Sequence, residues 1–164
     1  MRSNVGVIGI GRLGLCFCLT LEKSGYNVIG YDILKNYVNN INQKTFFSHE
    51  PGVNELLLKS ANFKATSDIT DCVLHSDLIF VTVASFSEPD GRYNVSQVDS
   101  VVDSLVKLGK QKNTKHLVVC TNVNPGYSDI VYEKLKEYNW NVSFNPETIA
   151  QGTILKNQSE PDCV

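Results

Sequence analysis

Short apolar segments of strand length alternate with longer amphipathic segments along the whole chain. Several of the short segments are apolar at every position, which is typical of strands that are covered on both faces of a parallel sheet. The alternation predicts an α/β domain in which helices cover a mostly parallel, doubly wound sheet. We predict six strands, at 4–10, 26–31, 63–65, 78–83, 116–120 and 142–144.

The longer segments predict five helices, at 11–24, 35–43, 52–60, 95–109 and 127–138. The fourth is the clearest, because Val98, Val101, Val102 and Leu105 are spaced by three and four residues and therefore share one helix face. The loop before it, 85–94, contains the turn signal Pro89-Asp90-Gly91 directly after a predicted strand. Two interpretations of this loop stay open: a plain crossover, or part of a binding site at the carboxyl end of a strand.

Length and charge limit the classes of protein to consider. The 164 residues are enough for one domain with a hydrophobic core and too few for two ordinary domains, so we predict a single domain over residues 1–164. Fifteen basic and seventeen acidic side chains give a net charge of −2, which provides no broad electrostatic footprint for nucleic acid or an anionic membrane. With no signal peptide and no apolar run of about 18 residues, we expect a cytoplasmic protein.

The five cysteines do not form a recognisable framework. Their number is odd and no C-x-x-C pair occurs, which argues against both disulfide pairing and a zinc site. We expect reduced thiols packed as small hydrophobes, and no metal. They are predicted in the first helix, in a connecting segment, in a buried strand and near the end of the chain: Cys16, Cys18, Cys72, Cys120 and Cys163.

A glycine-rich turn joins the first predicted strand to the first predicted helix. It reads Gly9-Ile10-Gly11-Arg12-Leu13-Gly14 and thus has the pattern G-x-G-x-x-G. The first glycine permits a tight turn, the second lets the backbone approach a pyrophosphate, and the third lets helix and strand pack closely. The N-terminus of the helix offers free N–H groups to the phosphates. The alternative is a tight strand-to-helix turn without a ligand.

The second predicted strand ends in an acid, Asp32, eighteen positions after Gly14. A carboxylate at this point can accept hydrogen bonds from both ribose hydroxyls of an adenosine, and it repels a 2′-phosphate. The sequence therefore predicts NAD rather than NADP as the cofactor. A solvated strand end is the alternative for Asp32.

Further motifs follow the glycine turn in a fixed order. They are Glu50-Pro-Gly-Val-Asn-Glu-Leu-Leu57, Ala65-Thr-Ser-Asp68, Ser76-Asp-Leu-Ile-Phe-Val-Thr-Val83, Asp90-Gly91, Asn94-Val-Ser-Gln-Val98, Val118-Val-Cys-Thr-Asn-Val-Asn-Pro-Gly126, Asn145-Pro-Glu147 and Ser159-Glu-Pro-Asp162. Together with the glycine turn, their order and spacing resemble the NAD-binding domain of the UDP-glucose/GDP-mannose dehydrogenase family along the whole chain. We accordingly predict a Rossmann-type sheet with strand order 3-2-1-4-5-6 and NAD bound between the first and fourth strands.

The resemblance also implies a chemistry. Members of the family oxidise the C6 alcohol of a nucleotide sugar to a carboxylate in two NAD-linked steps, through a thioester on a cysteine. Glu147 matches the acid of the N-P-E motif, which in the family helps water attack that thioester. An acid at the start of a helix after Pro146 is the alternative, and both interpretations stay open. The resemblance further places Lys35, Val83, Ala84, Ser85, Thr121 and Asn122 at the cofactor.

The sequence departs from the family pattern at several positions. The usual P-T-P is Ala84-Ser85-Phe86, the threonine of S-T-V is Asn122, and the acid four residues after Glu147 is Gln151. In the family, a carboxylate at the position of Gln151 approaches the nicotinamide side, so the resemblance implies that this change affects cofactor affinity or the geometry of hydride transfer. The basic residue often found five positions after the ribose acid is Tyr37, and Lys35 is the nearest cation.

In the family, the nucleophilic cysteine, a lysine and the substrate-binding residues belong to a central helix and a second domain that follow the motifs present here. We therefore expect this chain to bind NAD without turnover, and to meet a nucleotide sugar only together with such a second domain. Two alternatives stay open: a stand-alone NAD-binding or regulatory module, and an inactive remnant.

Overall fold

A six-stranded parallel sheet forms the centre of the protein, in a computed structural model that describes residues 3–147 and 151–160. The strand order is β3-β2-β1-β4-β5-β6, as predicted. All named pairs are parallel, and β1 lies between β2 and β4, so that Val5 pairs with both Val28 and Leu78. The strands are β1 (Asn4–Ile8), β2 (Asn27–Tyr31), β3 (Phe63–Thr66), β4 (Leu78–Val81), β5 (Lys115–Val119) and β6 (Trp140–Phe144).

Helices cover both faces of this sheet. They are α1 (Arg12–Lys23), α2 (Lys35–Asn42), α3 (Val53–Lys59), α4 (Ile69–His75), α5 (Ser96–Lys107), α6 (Tyr127–Leu135), which a 3-10 turn extends over Lys136–Tyr138, and α7 (Ile154–Ser159). The predicted helix at 127–138 thus ends its α-helical part at Leu135, and Asn139 closes the 3-10 turn with a left-handed φ of 65°. Within the two described ranges, no helix has the length and apolarity needed to cross a membrane.

Helices α4 and α7 were not predicted, and the expectation that Cys72 lies in a connecting segment is wrong. Cys72 is a buried residue of α4. This helix has only seven residues, and the side chain of Asp68 caps it by accepting a hydrogen bond from the Thr70 amide at 2.8 Å. So short a helix is stabilised by its cap and by packing against β1 and β2. It is too short to show a helical periodicity in the sequence. Cys163 lies outside the described residues.

The core consists of two apolar layers, one on each face of the sheet. Ile8 belongs to the layer under α4, α5 and α6, whereas Val7 belongs to the layer under α1, α2 and α3. Neighbouring residues of β1 therefore point into different layers, which explains why this strand is apolar at almost every position. The predicted face of α5 is confirmed, because Val98, Val101, Val102 and Leu105 are buried in the core layer on this side of the sheet.

Candidate cofactor site

A cavity of about 720 Å³ opens at the carboxyl edge of the sheet, beside the ends of β1 and β4. The chain passes from β1 to β2 on one side of this point and from β4 to β5 on the other side. This is the switch point at which doubly wound sheets bind ligands. Residues from the glycine turn, from the ends of β2 and β4, from α4 and from α5 line it. The lining comprises Gly9, Gly11, Arg12, Leu13, Tyr31, Asp32, Ile33, Leu34, Ile69, Thr82, Val83, Ala84, Gln97, Ser100, Val101 and Ser104.

The three glycines of the turn have different structural requirements. Gly9 ends β1 with a left-handed φ of 91°. A Cβ atom on Gly14 would collide with the carbonyl oxygen of Gly9 and lie 2.6 Å from Oγ1 of Thr82. A Cβ atom on Gly11, in contrast, would have no neighbour within 4 Å. The backbone at Gly11 thus faces open space beside the cavity, which leaves room for a pyrophosphate to approach.

Helix α1 directs its N-terminus at this space. Gly11 is its N-cap, and the first helical hydrogen bond runs from the Leu15 amide to the Gly11 carbonyl at 2.9 Å. The N–H groups of Arg12, Leu13 and Gly14 therefore have no partner within the helix. With the positive end of the helix dipole, they form a binding surface for phosphate oxygens.

Two side chains, from other parts of the fold, donate hydrogen bonds to the backbone of the glycine turn. Neither contact was identified from the sequence. Oγ1 of Thr82, just after β4, donates a hydrogen bond to the Gly9 carbonyl at 2.7 Å. The hydroxyl of Tyr37, from α2, donates to the Ile10 carbonyl at 2.7 Å. The sequence contained one indication of the first contact, because Thr82 is a polar residue directly after the apolar strand β4. The contact of Tyr37 gives this residue a structural role, at the position where the family often has a basic residue.

Asp32 lines the cavity directly after β2. Its Oδ1 accepts a hydrogen bond from the Leu34 amide at 3.1 Å, which holds the carboxylate at the end of the strand. Ile33 and Leu34 beside it are 74% and 61% exposed, and Ile69 of α4 lies in the same lining. A carboxylate next to an apolar wall suits an adenosine, since the ribose hydroxyls and the flat base need these two surfaces.

Six of the predicted cofactor residues are not in this lining, as far as the described residues define it: Ile10, Gly14, Lys35, Ser85, Thr121 and Asn122. Ile10 is buried in the core, and Lys35 is an exposed residue at the start of α2. Oγ1 of Thr121 donates to the Val83 carbonyl at 2.6 Å, so this hydroxyl joins the ends of β4 and β5. The remaining seven predicted cofactor residues lie around the cavity.

The loop before α5 is fastened to the turn after β5. Ser87 and Tyr93 form an antiparallel bridge. The side-chain amide of Asn124 accepts a hydrogen bond from the Tyr93 amide and donates one to the Tyr93 carbonyl, both at 2.9 Å. Ala84 lines the cavity before the loop begins. No residue of the loop 85–94 is in the described cavity lining, which favours the crossover interpretation of this loop.

Glu147 lies beyond the end of β6, at the same carboxyl edge of the sheet. It is half-buried, and burial raises the pKa of its carboxyl group above the usual value. Nε2 of Gln158 donates a hydrogen bond to Oε2 at 3.2 Å, which favours the charged form and opposes part of this rise. A raised pKa suits a general base. The alternative of an acid at a helix start depends on residues 148–150, which lie outside the described residues.

The segment after Glu147 is held at two points. The guanidinium of Arg12, in the cavity lining, donates a hydrogen bond to Oε1 of Gln151. The carboxylate of Glu50, only 5% exposed, accepts hydrogen bonds from the amides of Gly152 at 2.9 Å and Ile154 at 2.8 Å. Sequence reasoning missed this role of Glu50, whose partners are about a hundred residues away along the chain.

The described cysteines are poor nucleophiles. Cys16, Cys18, Cys72 and Cys120 are buried and free. Burial raises the pKa of the Cys16, Cys72 and Cys120 thiols to about 12, and it raises the pKa of Cys18 as well. A catalytic thiol needs the opposite, an environment that stabilises the thiolate. In the part of the chain that the structure describes, no three His, Cys, Asp or Glu side chains form a metal-binding group.

Comparison with known proteins identifies the family. Residues 3–164 match the sequence profile of the UDP-glucose/GDP-mannose dehydrogenase family, NAD binding domain. The chain belongs to this family. Its cofactor is therefore NAD, and the open backbone at Gly11, the free N–H groups of α1 and the carboxylate of Asp32 fit the pyrophosphate and the adenosine of that molecule.

Relatives in the family are longer than this chain. An uncharacterized protein of Methanocaldococcus jannaschii is 30% identical over 162 residues, which cover 98% of the chain and 18% of that protein. GDP-mannose 6-dehydrogenase of Pseudomonas syringae pv. tomato is 27% identical over 170 residues, covering 96% of the chain and 39% of the enzyme. UDP-glucose 6-dehydrogenase of Haloferax volcanii is also 27% identical, with 97% and 39% covered. The chain thus spans about two fifths of these dehydrogenases.

Solved structures of the family share the fold. A ternary complex of GDP-mannose dehydrogenase from Pseudomonas aeruginosa superposes with a TM-score of 0.85 at 24% identity, covering 98% of this chain and 39% of the other. A UDP-glucose dehydrogenase from Pyrobaculum islandicum gives a TM-score of 0.86 at 24% identity, covering 99% and 40%. Both comparisons support the six-stranded Rossmann-type architecture described above.

Proposed function

We propose that this chain is the NAD-binding part of a nucleotide-sugar 6-dehydrogenase that converts UDP-glucose to UDP-glucuronate. One observation carries the proposal: the cavity at the β1–β4 switch and the half-buried Glu147 lie at the same edge of the sheet. The contact between Arg12 and Gln151 links the two. UDP-glucose is proposed from the family alone, and GDP-mannose is the second substrate to test.

The overall reaction consumes one water and two NAD⁺ for each alcohol, and gives one carboxylate, two NADH and three protons. NAD, when bound, would supply the acceptor for the hydride from C6. The glycine turn and the N-terminus of α1 would hold its pyrophosphate, while Asp32 would hold the ribose hydroxyls and repel a 2′-phosphate. Glu147 takes a proton from the water that attacks the thioester, for which its raised pKa is suited.

The thioester requires a reactive cysteine. The four described cysteines are buried and their pKa values are raised, so none of these four is suited to that role, and we expect the nucleophile in the second domain that the family resemblance implies. We therefore expect the 164 residues alone to bind NAD and to produce no NADH from a nucleotide sugar.

Cofactor binding is the first test. Calorimetric titration of the chain should give binding of NAD and much weaker binding of NADP. Asp32→Ala should weaken NAD binding, because the ribose hydroxyls lose their acceptor, and should reduce the preference over NADP. Asp129→Ala on α6, an exposed acid outside the cavity lining, is the matched control and should leave both affinities unchanged. Failure to bind NAD at millimolar concentration would favour the inactive remnant.

Turnover is the second test. The complete reading frame should be expressed and assayed with UDP-glucose and with GDP-mannose by the absorbance of NADH. The proposal expects two NADH per sugar acid, and a large loss of kcat in Glu147→Gln because the base is removed. A stop codon directly after Val164 would favour the stand-alone module instead.

A further inference from the structure

Gln158 contacts Glu147 across the segment that joins β6 to α7. Its Nε2 donates a hydrogen bond to Oε2 of Glu147 at 3.2 Å. Among the described residues, this is the hydrogen bond that reaches the Glu147 carboxylate, and it involves one oxygen only. Oε1 is therefore left without a direct protein donor within that set.

The other end of the Gln158 amide is held by α1. Oγ1 of Thr20 donates a hydrogen bond to Oε1 of Gln158 at 3.3 Å. An ionised carboxylate only accepts hydrogen bonds, so the NH₂ group of the amide faces Glu147 and the amide oxygen faces Thr20, whose hydroxyl supports this orientation by donating to it. The two hydrogen bonds therefore donate in the same direction, from Thr20 to Gln158 and from Gln158 to Glu147.

The helix that carries Gln158 is fixed independently of this contact. Glu50 binds the amides of Gly152 and Ile154 at the start of α7, and Ile154 is 2% exposed in the core. Helix α7 also packs against α1. The position of Gln158 therefore does not depend on its hydrogen bond to Glu147, and the amide can act as a fixed donor.

We propose that Gln158, oriented by Thr20, is a positioning residue for Glu147: it engages Oε2 and leaves Oε1 as the oxygen that accepts a proton from water. The assignment of the base rests on the proposed function, whereas the contact itself does not. The hydrogen bond also stabilises the ionised carboxylate and opposes the effect of burial. Among the residues that the structure describes, the thiols of Cys16 on α1 and Cys120 after β5 interact electrostatically with Glu147, and burial keeps both protonated at neutral pH.

The test is an NMR titration of the Glu147 side-chain carboxyl carbon in the 164-residue chain, without substrate. Gln158→Leu should raise the proton affinity of Glu147 about tenfold, because a donor to a buried charge is lost while burial persists. Ser159→Ala on the same helix is the control: it removes a hydroxyl that donates to the Leu155 carbonyl, and should leave Glu147 unchanged. An unchanged titration in folded Gln158→Leu overturns the proposal.

Thr20 provides a second route if the Gln158 variant does not fold. Thr20→Val removes the hydroxyl at nearly constant volume and should change the proton affinity of Glu147 in the same direction, but less. Thr20→Ser keeps the hydroxyl and should restore the parent titration. Equal titrations for the valine and serine variants would overturn the orienting role of Thr20.

The complete enzyme separates this inference from the proposed function. In it, Gln158→Leu should move the acidic limb of the kcat profile to higher pH by the same factor as the NMR titration. If Gln158→Leu changes the NMR titration of Glu147 but not the acidic limb of the kcat profile, Glu147 is refuted as the base, while the contact with Gln158 stands. If Gln158→Leu leaves the NMR titration of Glu147 unchanged and Glu147→Gln abolishes activity, the positioning role of Gln158 is refuted, while Glu147 stands as the base.

Discussion

Replacing Glu50 by glutamine tests how the segment after Glu147 is held in place. The carboxylate is 5% exposed, and it accepts hydrogen bonds from the amides of Gly152 at 2.9 Å and Ile154 at 2.8 Å. Glutamine has nearly the same size, but one oxygen becomes an NH₂ group and the charge disappears. One backbone amide then faces a donor instead of an acceptor.

The expected cost follows from these two bonds. A hydrogen bond to a buried charged group contributes about 1.5–3 kcal/mol, and an unsatisfied buried donor costs about 1–3 kcal/mol. One bond is lost and the other loses its charge, so we expect a cost of about 3 kcal/mol for docking of α7. Since about 1.4 kcal/mol corresponds to a factor of ten, local opening should become about 150-fold more frequent.

Amide hydrogen exchange measures this opening at the two donors. In Glu50→Gln, exchange at Gly152 and Ile154 should accelerate about 150-fold, while the central strand β1 changes much less, because α7 can detach without unfolding the sheet. Glu55→Gln is the control, because this exposed acid pairs with Lys59 on its own helix, and the substitution should leave both amides unchanged. An acceleration below about fivefold would refute the view that the buried carboxylate fastens this segment.

Four further predictions concern the turn and the candidate base. Gly11→Ala should fold normally but lose NAD affinity in a calorimetric titration, whereas Gly14→Ala should lose about 1–3 kcal/mol of stability toward urea, because its Cβ meets the Gly9 carbonyl. Tyr37→Phe should lower stability by about 1 kcal/mol through the lost bond to the Ile10 carbonyl, again measured by urea unfolding. The raised pKa of Glu147 means that its contribution to stability is fully present below the pKa of the unfolded state and is lost as pH rises through the folded pKa. Glu147→Gln should therefore gain stability relative to the parent as the pH rises above the ordinary carboxyl pKa of about 4.3, measured by urea unfolding at a series of pH values, and a constant difference would contradict the raised pKa.

Local patterns were sufficient to predict the strands of the sheet and the cofactor, whereas the strand order was predicted from the resemblance to the dehydrogenase family. The six apolar segments matched the six strands to within two residues at each end, because continuous burial requires continuous apolar sequence. The strand-turn-helix context of Gly9–Gly14 and the acid at the end of β2 predicted NAD as the cofactor, and the structure places a cavity beside these residues. The short helices α4 and α7 could not be predicted in this way, since a seven-residue or six-residue helix has too few turns for a periodic signal.

What the sequence by itself determined is the set of elements whose reason is local: buried strands, amphipathic helices and the glycine turn. Only the tertiary structure decided which polar side chains act together. Thr82 and Tyr37 support the turn from two other elements, and Glu50 binds α7 from about a hundred residues away. A hydrogen bond between distant residues leaves no periodicity in the sequence, because its geometry exists only after the sheet and its helices have brought the partners together.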